Sequence, residues 1–297
     1  MMKVYFPGRM TAQVAAGLLL IFPQASAQIS AKDDLGRTIV LFSPARRVVS
    51  LAPSITETLF AIGAGDQICG VTDQCTFPGA ARGKLHVGGM TNPNIEAIVG
   101  LRPDLIVMSM EGNTRAEFAK LTSLGVTIFV TNPRTLRGIQ RSIEQLGILT
   151  GHTSRAAQID SALRARQDSV DRQSGSRRVR ALLLISIDPL IAAGKDTFIN
   201  DLIVHAGGEN IAATASGSYP ALSREAVLAS NPEVIVFTAD LSPDLSTLIT
   251  HFPEWSRLDA VQGGRVYRID PDIISRPGPR AVEGLEQLSQ FFHAINK

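Results

Sequence analysis

Asn94-Ile-Glu96-Ala-Ile-Val-Gly-Leu-Arg-Pro103-Asp-Leu-Ile-Val107 and, about 130 residues later, Ser223-Arg-Glu225-Ala-Val-Leu-Ala-Ser-Asn-Pro232-Glu-Val-Ile-Val236 are two versions of one pattern. In each, a polar residue able to cap a helix is followed two positions on by a glutamate. A short apolar stretch comes next, then a proline that ends the helix, then an apolar run that reads as a buried strand. The chain therefore contains two related lobes. Each glutamate falls in the first turn of a short surface helix, where it complements the helix dipole by a few tenths to about 1 kcal/mol. Taken singly, either residue needs no further explanation. One per lobe in equivalent places, Glu96 and Glu225 are also what a protein would present to a partner that is itself two-fold.

Around these anchors the first lobe reads as strands alternating with helices. Arg47-Val-Val-Ser-Leu-Ala-Pro53 runs from a strand into Ser54-Ile-Thr-Glu57, a capping-box pattern, and on to a helix that Gly63 can close. Apolar runs recur at 68–71, 104–109 and 126–131, with helical spacing between them, as in 115–124 closed by Gly125. Such alternation predicts a mostly parallel sheet covered by helices. Residues 153–174 contain no Gly or Pro and carry Ala156, Ile159, Leu163 and Val170 at helical intervals. They predict one rod of roughly 30 Å, long enough to run from lobe to lobe and stiff where a Gly/Ser-rich linker would not be. The second lobe repeats the scheme: strand 181–186, helix 197–206, the Glu225 helix, strands 234–238 and 266–270, and a last helix over 280–295. The boundaries expected are a leader at 1–27, an N-terminal lobe at 28–151, a connecting helix at 152–176 and a C-terminal lobe at 177–297.

The leader rests on Lys3 and Arg9 ahead of the apolar run 14–22 and on Ala25-Ser-Ala27, the three regions of a secretory signal. The run is too short to span a bilayer, and no cysteine stands at the cleavage site to accept a lipid. A mature protein secreted to the periplasm is therefore expected. The whole chain has 29 Lys and Arg against 27 Asp and Glu; removing Lys3 and Arg9 leaves 27 against 27. Balanced charge argues against nucleic acid, which needs a concentrated basic face. Cys69 and Cys75 are the two cysteines, and in an oxidising compartment their spacing fits either a local disulfide or two thiols.

Reactive motifs fail on inspection. Gly63-Ala-Gly65 lacks the third glycine of a dinucleotide loop, no phosphate loop or Gly-x-Ser-x-Gly elbow occurs, and the five histidines are scattered. No catalytic residue and no protein-bound metal is expected. His205 sits in an apolar segment and reads as structural, whereas His86 lies in a Gly-rich loop ahead of Glu96, where ligand contact is an alternative. Ligands of alternating sheets bind at the carboxyl ends of the strands. That rule selects loops 52–54, 72–77, 88–92, 109–113 and 132–133 in the first lobe, and 187–195, 216–220, 239–240 and 271–277 in the second. Among these, Asp272 and Arg276 are placed to reach a ligand, while Arg280 is expected to cap or pack on the last helix.

The ordered set Arg47-Val-Val-Ser-Leu-Ala-Pro-Ser-Ile-Thr-Glu57, Thr76-Phe-Pro78, Val87-Gly-Gly-Met-Thr-Asn-Pro-Asn-Ile-Glu96, Leu101-Arg-Pro-Asp-Leu-Ile-Val107, Ala206-Gly-Gly-Glu-Asn210 and Arg276-Pro-Gly-Pro-Arg280 resembles the periplasmic receptors for vitamin B12, siderophores and haem. The likeness extends over nearly the whole mature chain. It implies an α/β fold of two Rossmann-like lobes, each with a central, mostly parallel sheet, joined by one long rigid helix. It further implies a non-enzymatic, monomeric substrate-binding protein that serves an ABC transporter permease in the inner membrane, docking through Glu96 and Glu225. The small-molecule ligand it implies is cobalamin or a related corrinoid, with a ferric siderophore or haem as the alternative, and no resident cofactor. By matching positions, the ligand contacts implied are Gln74, Met90, Ser109 or Met110, and Tyr219, with Asp272 and Arg276 as the polar pair. For haem, His86, Tyr219 or Met90 would be the axial candidates.

Overall fold

The computed structural model describes residue 1, residues 28–241 and residues 245–295, so the expected leader lies, Met1 apart, outside the described residues. The first described elements are a two-stranded antiparallel hairpin, Ile29–Lys32 (β1) with Thr38–Leu41 (β2). Four apolar runs then form the first lobe's sheet: Val48–Ser50 (β3), Ile68–Val71 (β4), Leu105–Ser109 (β5) and Ile128–Thr131 (β6). The sheet is wholly parallel in the order β4-β3-β5-β6. Continuous apolar strands are what such a sheet requires, because helices cover both its faces. Those helices are Pro53–Ala61 (α1), Ile95–Gly100 (α2), Arg115–Ser123 (α3) and Leu136–Thr150 (α4). The connecting helix, Thr153–Gln173 (α5), has the length its uninterrupted helical spacing predicts.

The second lobe is built on Val179–Ile187 (β7), flanked by antiparallel Leu190–Ala192 (β8) and by parallel Gly208–Asn210 (β9) and Val234–Thr238 (β10), with Val266–Ile269 (β11) beyond β10. Its helices are Phe198–His205 (α6), Arg224–Ser230 (α7), Leu245–His251 (α8), Asp259–Gln262 (α9), Pro271–Ile274 (α10) and Ala281–His293 (α11).

The internal repeat goes deeper than its sequence. Asn94 Oδ1 accepts from the Ala97 amide at 2.9 Å, and Ser223 Oγ accepts from the Ala226 amide at 3.0 Å, so both helices start with the predicted cap. Both end alike as well. Arg102 (φ 47°) and Asn231 (φ 40°) are the non-glycine residues with positive φ among the described residues, and each stands directly before the proline, Pro103 or Pro232. The acid after each proline then ties down the first strand of its own lobe. Asp104 accepts from the Arg46 and Arg47 amides, and Glu233 accepts from the Arg180 amide. The Arg47 and Arg180 guanidinium groups close the motif by donating to the Leu101 and Asn231 carbonyls. Two positions in the left-handed region cost of order 1–3 kcal/mol each and persist because these bonds surround them.

Two expectations are corrected here. Ser54 does not cap α1: the N-cap is Ala52, without a side-chain bond, and Pro53 opens the helix. Ser54 and Glu57 are buried because this end of α1 faces the other lobe instead of water. Arg280 does hold the N-cap position of α11, but without a side-chain cap bond; its guanidinium crosses instead to Glu57, and it stacks 4.1 Å over the Phe77 ring. Of the two alternatives for the cysteines, the structure has free thiols, with Cys75 buried against the Thr56 and Thr72 hydroxyls.

One hydrophobic core runs through both lobes. It joins Val48, Leu59, Leu105 and Ile143 of the first to Val179, Leu183, Val236 and Leu285 of the second. Helix α4 reaches the second lobe, where its Leu136 amide donates to Asp201 Oδ2 at 2.7 Å. At its other end α4 lies close against α5: a Cβ added at Gly147 would meet Ala156 Cβ at 2.5 Å, so glycine sets that approach. Further along, α5 is tied to α11 by Arg166, which holds Glu286 at 2.6 and 2.7 Å in a two-pronged pair.

Candidate functional site

The carboxyl ends of β3, β5 and the β4 loop face the β9–α7 segment and the α10–α11 loop across a cavity of about 390 Å³. Its walls are Ala52, Pro53, Ser54, Gln74, Met90, Ser109, Glu111 and Gly112 from the first lobe, and Tyr219, Ser275, Arg276 and Pro277 from the second. The position follows from topology, since the ends of parallel strands leave a crevice that no helix fills. Its volume is that of a small-molecule site.

Asn113 organises the first-lobe wall. Its side-chain oxygen accepts from the Ser109 amide at 2.8 Å, and its amide group donates to the Leu51 and Met90 carbonyls at 3.1 and 2.7 Å. One residue thus locks the ends of β3 and β5 to the Met90 loop. Gln74 adds a bond, its Oε1 accepting from the Met90 amide at 3.2 Å. The opposing Tyr219 loop is held by backbone: the Gly194 amide donates to Ser218 O at 2.8 Å, and the Ala192 amide to Pro220 O at 3.1 Å. Arg134 of the first lobe reaches over the gap and donates to Asp196 O and to Ser218 Oγ.

The floor is an ion cluster between the lobes. Glu57, with its side chain 2% exposed, accepts from Arg280 Nε and Nη2 at 2.7 Å each and from Arg276 Nη1 at 3.2 Å. Arg276 also pairs with Asp272 at 2.7 Å, and Asp272 stands 3.8 Å from Arg280. Two guanidinium groups and two carboxylates balance. The Glu57 bonds hold the Arg280 guanidinium in its charged form, raising its pKa. At the mouth, burial pushes the Glu111 carboxyl above the usual range, offset in part by Arg134. Desolvation, the Glu111 charge next, raises the Tyr219 phenol to about 12 despite opposition from Arg134, although 42% of the residue is exposed.

The structure thus brings Gln74, Met90, Tyr219 and Arg276 to one cavity and leaves three sequence candidates, Met110, Asp272 and His86, off its wall. Met110 is exposed and lines a separate apolar hollow of about 350 Å³ with Leu35, Met108, Phe118 and Val130; of the Ser109-or-Met110 pair, Ser109 faces the cleft. Asp272 sits behind Arg276, and His86 pairs with Asp73 at 3.3 Å away from the wall. Glu57 and Asn113 were missed as site residues. Glu57 reads in the sequence as part of a capping box that does not form, and Asn113 lies unremarked in the selected loop 109–113. Glu111 lay inside a selected loop without being singled out. Glu96 and Glu225 are both exposed, each in the first turn of its helix. Bonds to its own amide and to Ser223, in that order, lower the Glu225 pKa. Among the described residues no group of His, Cys, Asp and Glu is placed to hold a metal ion.

Comparison with known proteins gives this geometry a context. The family described as periplasmic binding protein matches residues 48–273. An uncharacterised substrate-binding lipoprotein of an ABC transporter from Bacillus subtilis (strain 168) is 31% identical over 271 residues, covering 88% of this chain and 84% of that protein. The crystal structure of the periplasmic vitamin B12 binding protein of Vibrio cholerae superposes with a TM-score of 0.77 at 31% identity, covering 86% of this chain and 99% of the other. A periplasmic haem-binding protein from Roseiflexus sp. RS-1 shares the fold, with a TM-score of 0.76 at 23% identity over 85% of this chain and all of its own.

Proposed function

This chain belongs to the periplasmic binding protein family, as a substrate-binding protein of an ABC transporter and not an enzyme, and on that premise we propose that its cargo is cobalamin or a related corrinoid. The observation that carries the reading is the cavity itself, in which Met90 and Gln74 face Tyr219 across the lobes. A flexible, polarisable methionine and one aromatic ring suit the two faces of an apolar macrocycle. The rim of a ring larger than the cavity extends through its open mouth, while Arg276, backed by Asp272, serves the groups beneath. The 31% identity to the Vibrio cholerae vitamin B12 binding protein supports the same reading.

Delivery is assigned to Glu96 and Glu225, which dock on the two halves of the permease. Exposed charges of this kind fix register and speed encounter more than they add affinity. The leader over 1–27 sends the protein to the periplasm, and the mature chain acts as a monomer.

The test is isothermal titration of residues 28–297 with cyanocobalamin, with haem and a ferric hydroxamate as controls. Saturable one-to-one binding at micromolar or tighter affinity is expected for the corrinoid. Heat from a control and none from the corrinoid would sink the cargo assignment.

A further inference from the structure

Two charged side chains line the cavity, Glu111 and Arg276, and they are not equivalent. Arg276 is neutralised twice over, by Glu57 at 3.2 Å and Asp272 at 2.7 Å, within a cluster whose two cations and two anions cancel. Glu111 is different. Among the described residues, none donates a hydrogen bond or forms an ion pair to its carboxylate, and Arg134, which opposes its charge from nearby, spends its Nη1 on Asp196 O and Ser218 Oγ. An accessible carboxylate on a cavity wall with no protein donor is an acceptor left for the cargo. The cavity wall therefore offers its ligand a carboxylate with no bonded partner, its charge opposed in part by Arg134 from beyond the lining, and an arginine, Arg276, already paired with two carboxylates.

That asymmetry sorts cargo by the groups on its edge. An amide side group brings N–H donors that a carboxylate accepts through a charge-assisted bond. A carboxylate side group brings a second negative charge, which Glu111 repels and the paired Arg276 does little to attract. We propose that Glu111 is a specificity-determining residue, which admits macrocycles whose peripheral groups are amides and turns away the same ring when those groups are carboxylates. The inference deepens the corrinoid reading and rests on it for the ring. Its mechanism, one carboxylate without a bonded partner at the cleft wall, applies to any ring that binds.

The test uses matched pairs on the mature chain: dicyanocobyrinic acid heptaamide against dicyanocobyrinic acid, and the bis-amide of haem against haem. Each pair keeps ring and metal and exchanges amide for acid. In whichever pair binds, the unaltered protein should prefer the amide at least tenfold. In Glu111→Gln that preference should shrink about tenfold, mostly through tighter binding of the acid, because the repulsion is gone while an acceptor oxygen remains. A ratio between two ligands of one variant is insensitive to a general loss of stability, so a purely structural role would leave it unmoved. Preference for the acid, or a ratio that Glu111→Gln does not alter, overturns the inference. Binding of the haem pair alone, with the Glu111 effect intact, overturns the corrinoid cargo and upholds the filter. Failure of every ring to bind overturns both.

Discussion

Replacing Glu57 with glutamine probes the fold and the site together. The substitution keeps volume and one acceptor oxygen but removes the carboxylate that, among the described residues, joins both guanidinium groups to the first lobe. In the structure Glu57 is 2% exposed at its side chain and accepts three bonds, at 2.7, 2.7 and 3.2 Å. Breaking a buried pair by removing one partner costs about 3–5 kcal/mol, because the other charge is left behind. Here the lower end applies. Arg276 keeps Asp272 at 2.7 Å, Arg280 has Asp272 at 3.8 Å and the Phe77 ring beneath it, and both arginines retain 17–18% exposure. We expect a loss of about 3 kcal/mol in equilibrium urea unfolding at unchanged m-value, and a fall in Tm of roughly 6–12 °C for a chain of this size. Since one core spans both lobes, the transition should stay single. A loss below about 1 kcal/mol would refute the argument, as would a variant that unfolds in two steps with only one lobe weakened.

Three other outcomes follow from particular contacts. In Gly194→Ala the new methyl would meet the Gly217 carbonyl at 2.5 Å and Pro220 Cδ at 2.9 Å. The backbone carrying Tyr219 must then shift, at about 1–3 kcal/mol, and cargo affinity should drop; titration at unchanged affinity would show that the Tyr219 loop does not depend on that approach. The Arg166 bonds hold the Glu286 carboxyl below its ordinary value. Its stabilisation is therefore present above the unfolded carboxyl pKa and lost as pH falls through the depressed folded one. With 36–41% of both side chains exposed it amounts to under about 1 kcal/mol. Glu286→Gln should accordingly be less stable than the parent at pH 6 and equal to it near pH 3, and a gap that ignores pH would contradict the linkage. Glu96→Ala with Glu225→Ala should leave melting and cargo affinity within a few-fold of the parent while abolishing stimulation of the reconstituted transporter's ATPase; a large loss of affinity in solution would remove the docking assignment.

The parts of this molecule legible in the sequence are those set by local chemistry. Asn94 and Ser223 cap helices wherever they are placed, Pro103 and Pro232 end them, and charge-free runs such as Leu105–Ser109 have nowhere to go except a covered sheet. Strand ends then locate the cleft, which is why loops chosen by topology supplied Gln74, Met90, Tyr219 and Arg276. What escaped depends on partners more than 200 residues apart. Ser54-Ile-Thr-Glu57 carries the letters of a capping box, yet Glu57 answers to Arg276 and Arg280, and no local pattern announces a contact across that separation. Met110 stands off the cavity wall for a subtler reason: at the end of β5, Ser109 borders both the cleft and the neighbouring apolar hollow, while Met110 borders the hollow alone.

The shared core also bears on how such a molecule gives up what it holds. Spreading the lobes like a clamshell would expose Leu136, Ile139, Val282 and Leu285 along the seam, all of them buried, at roughly 2 kcal/mol for each apolar side chain. Thermal motion alone seldom meets a demand of that size, and the Glu57 cluster and the Arg166–Glu286 strut add to it. A vessel without a working lid keeps its contents by the fit of its walls. On the docking proposed for Glu96 and Glu225, emptying it would be work done from outside, by a membrane partner that levers both rims at once.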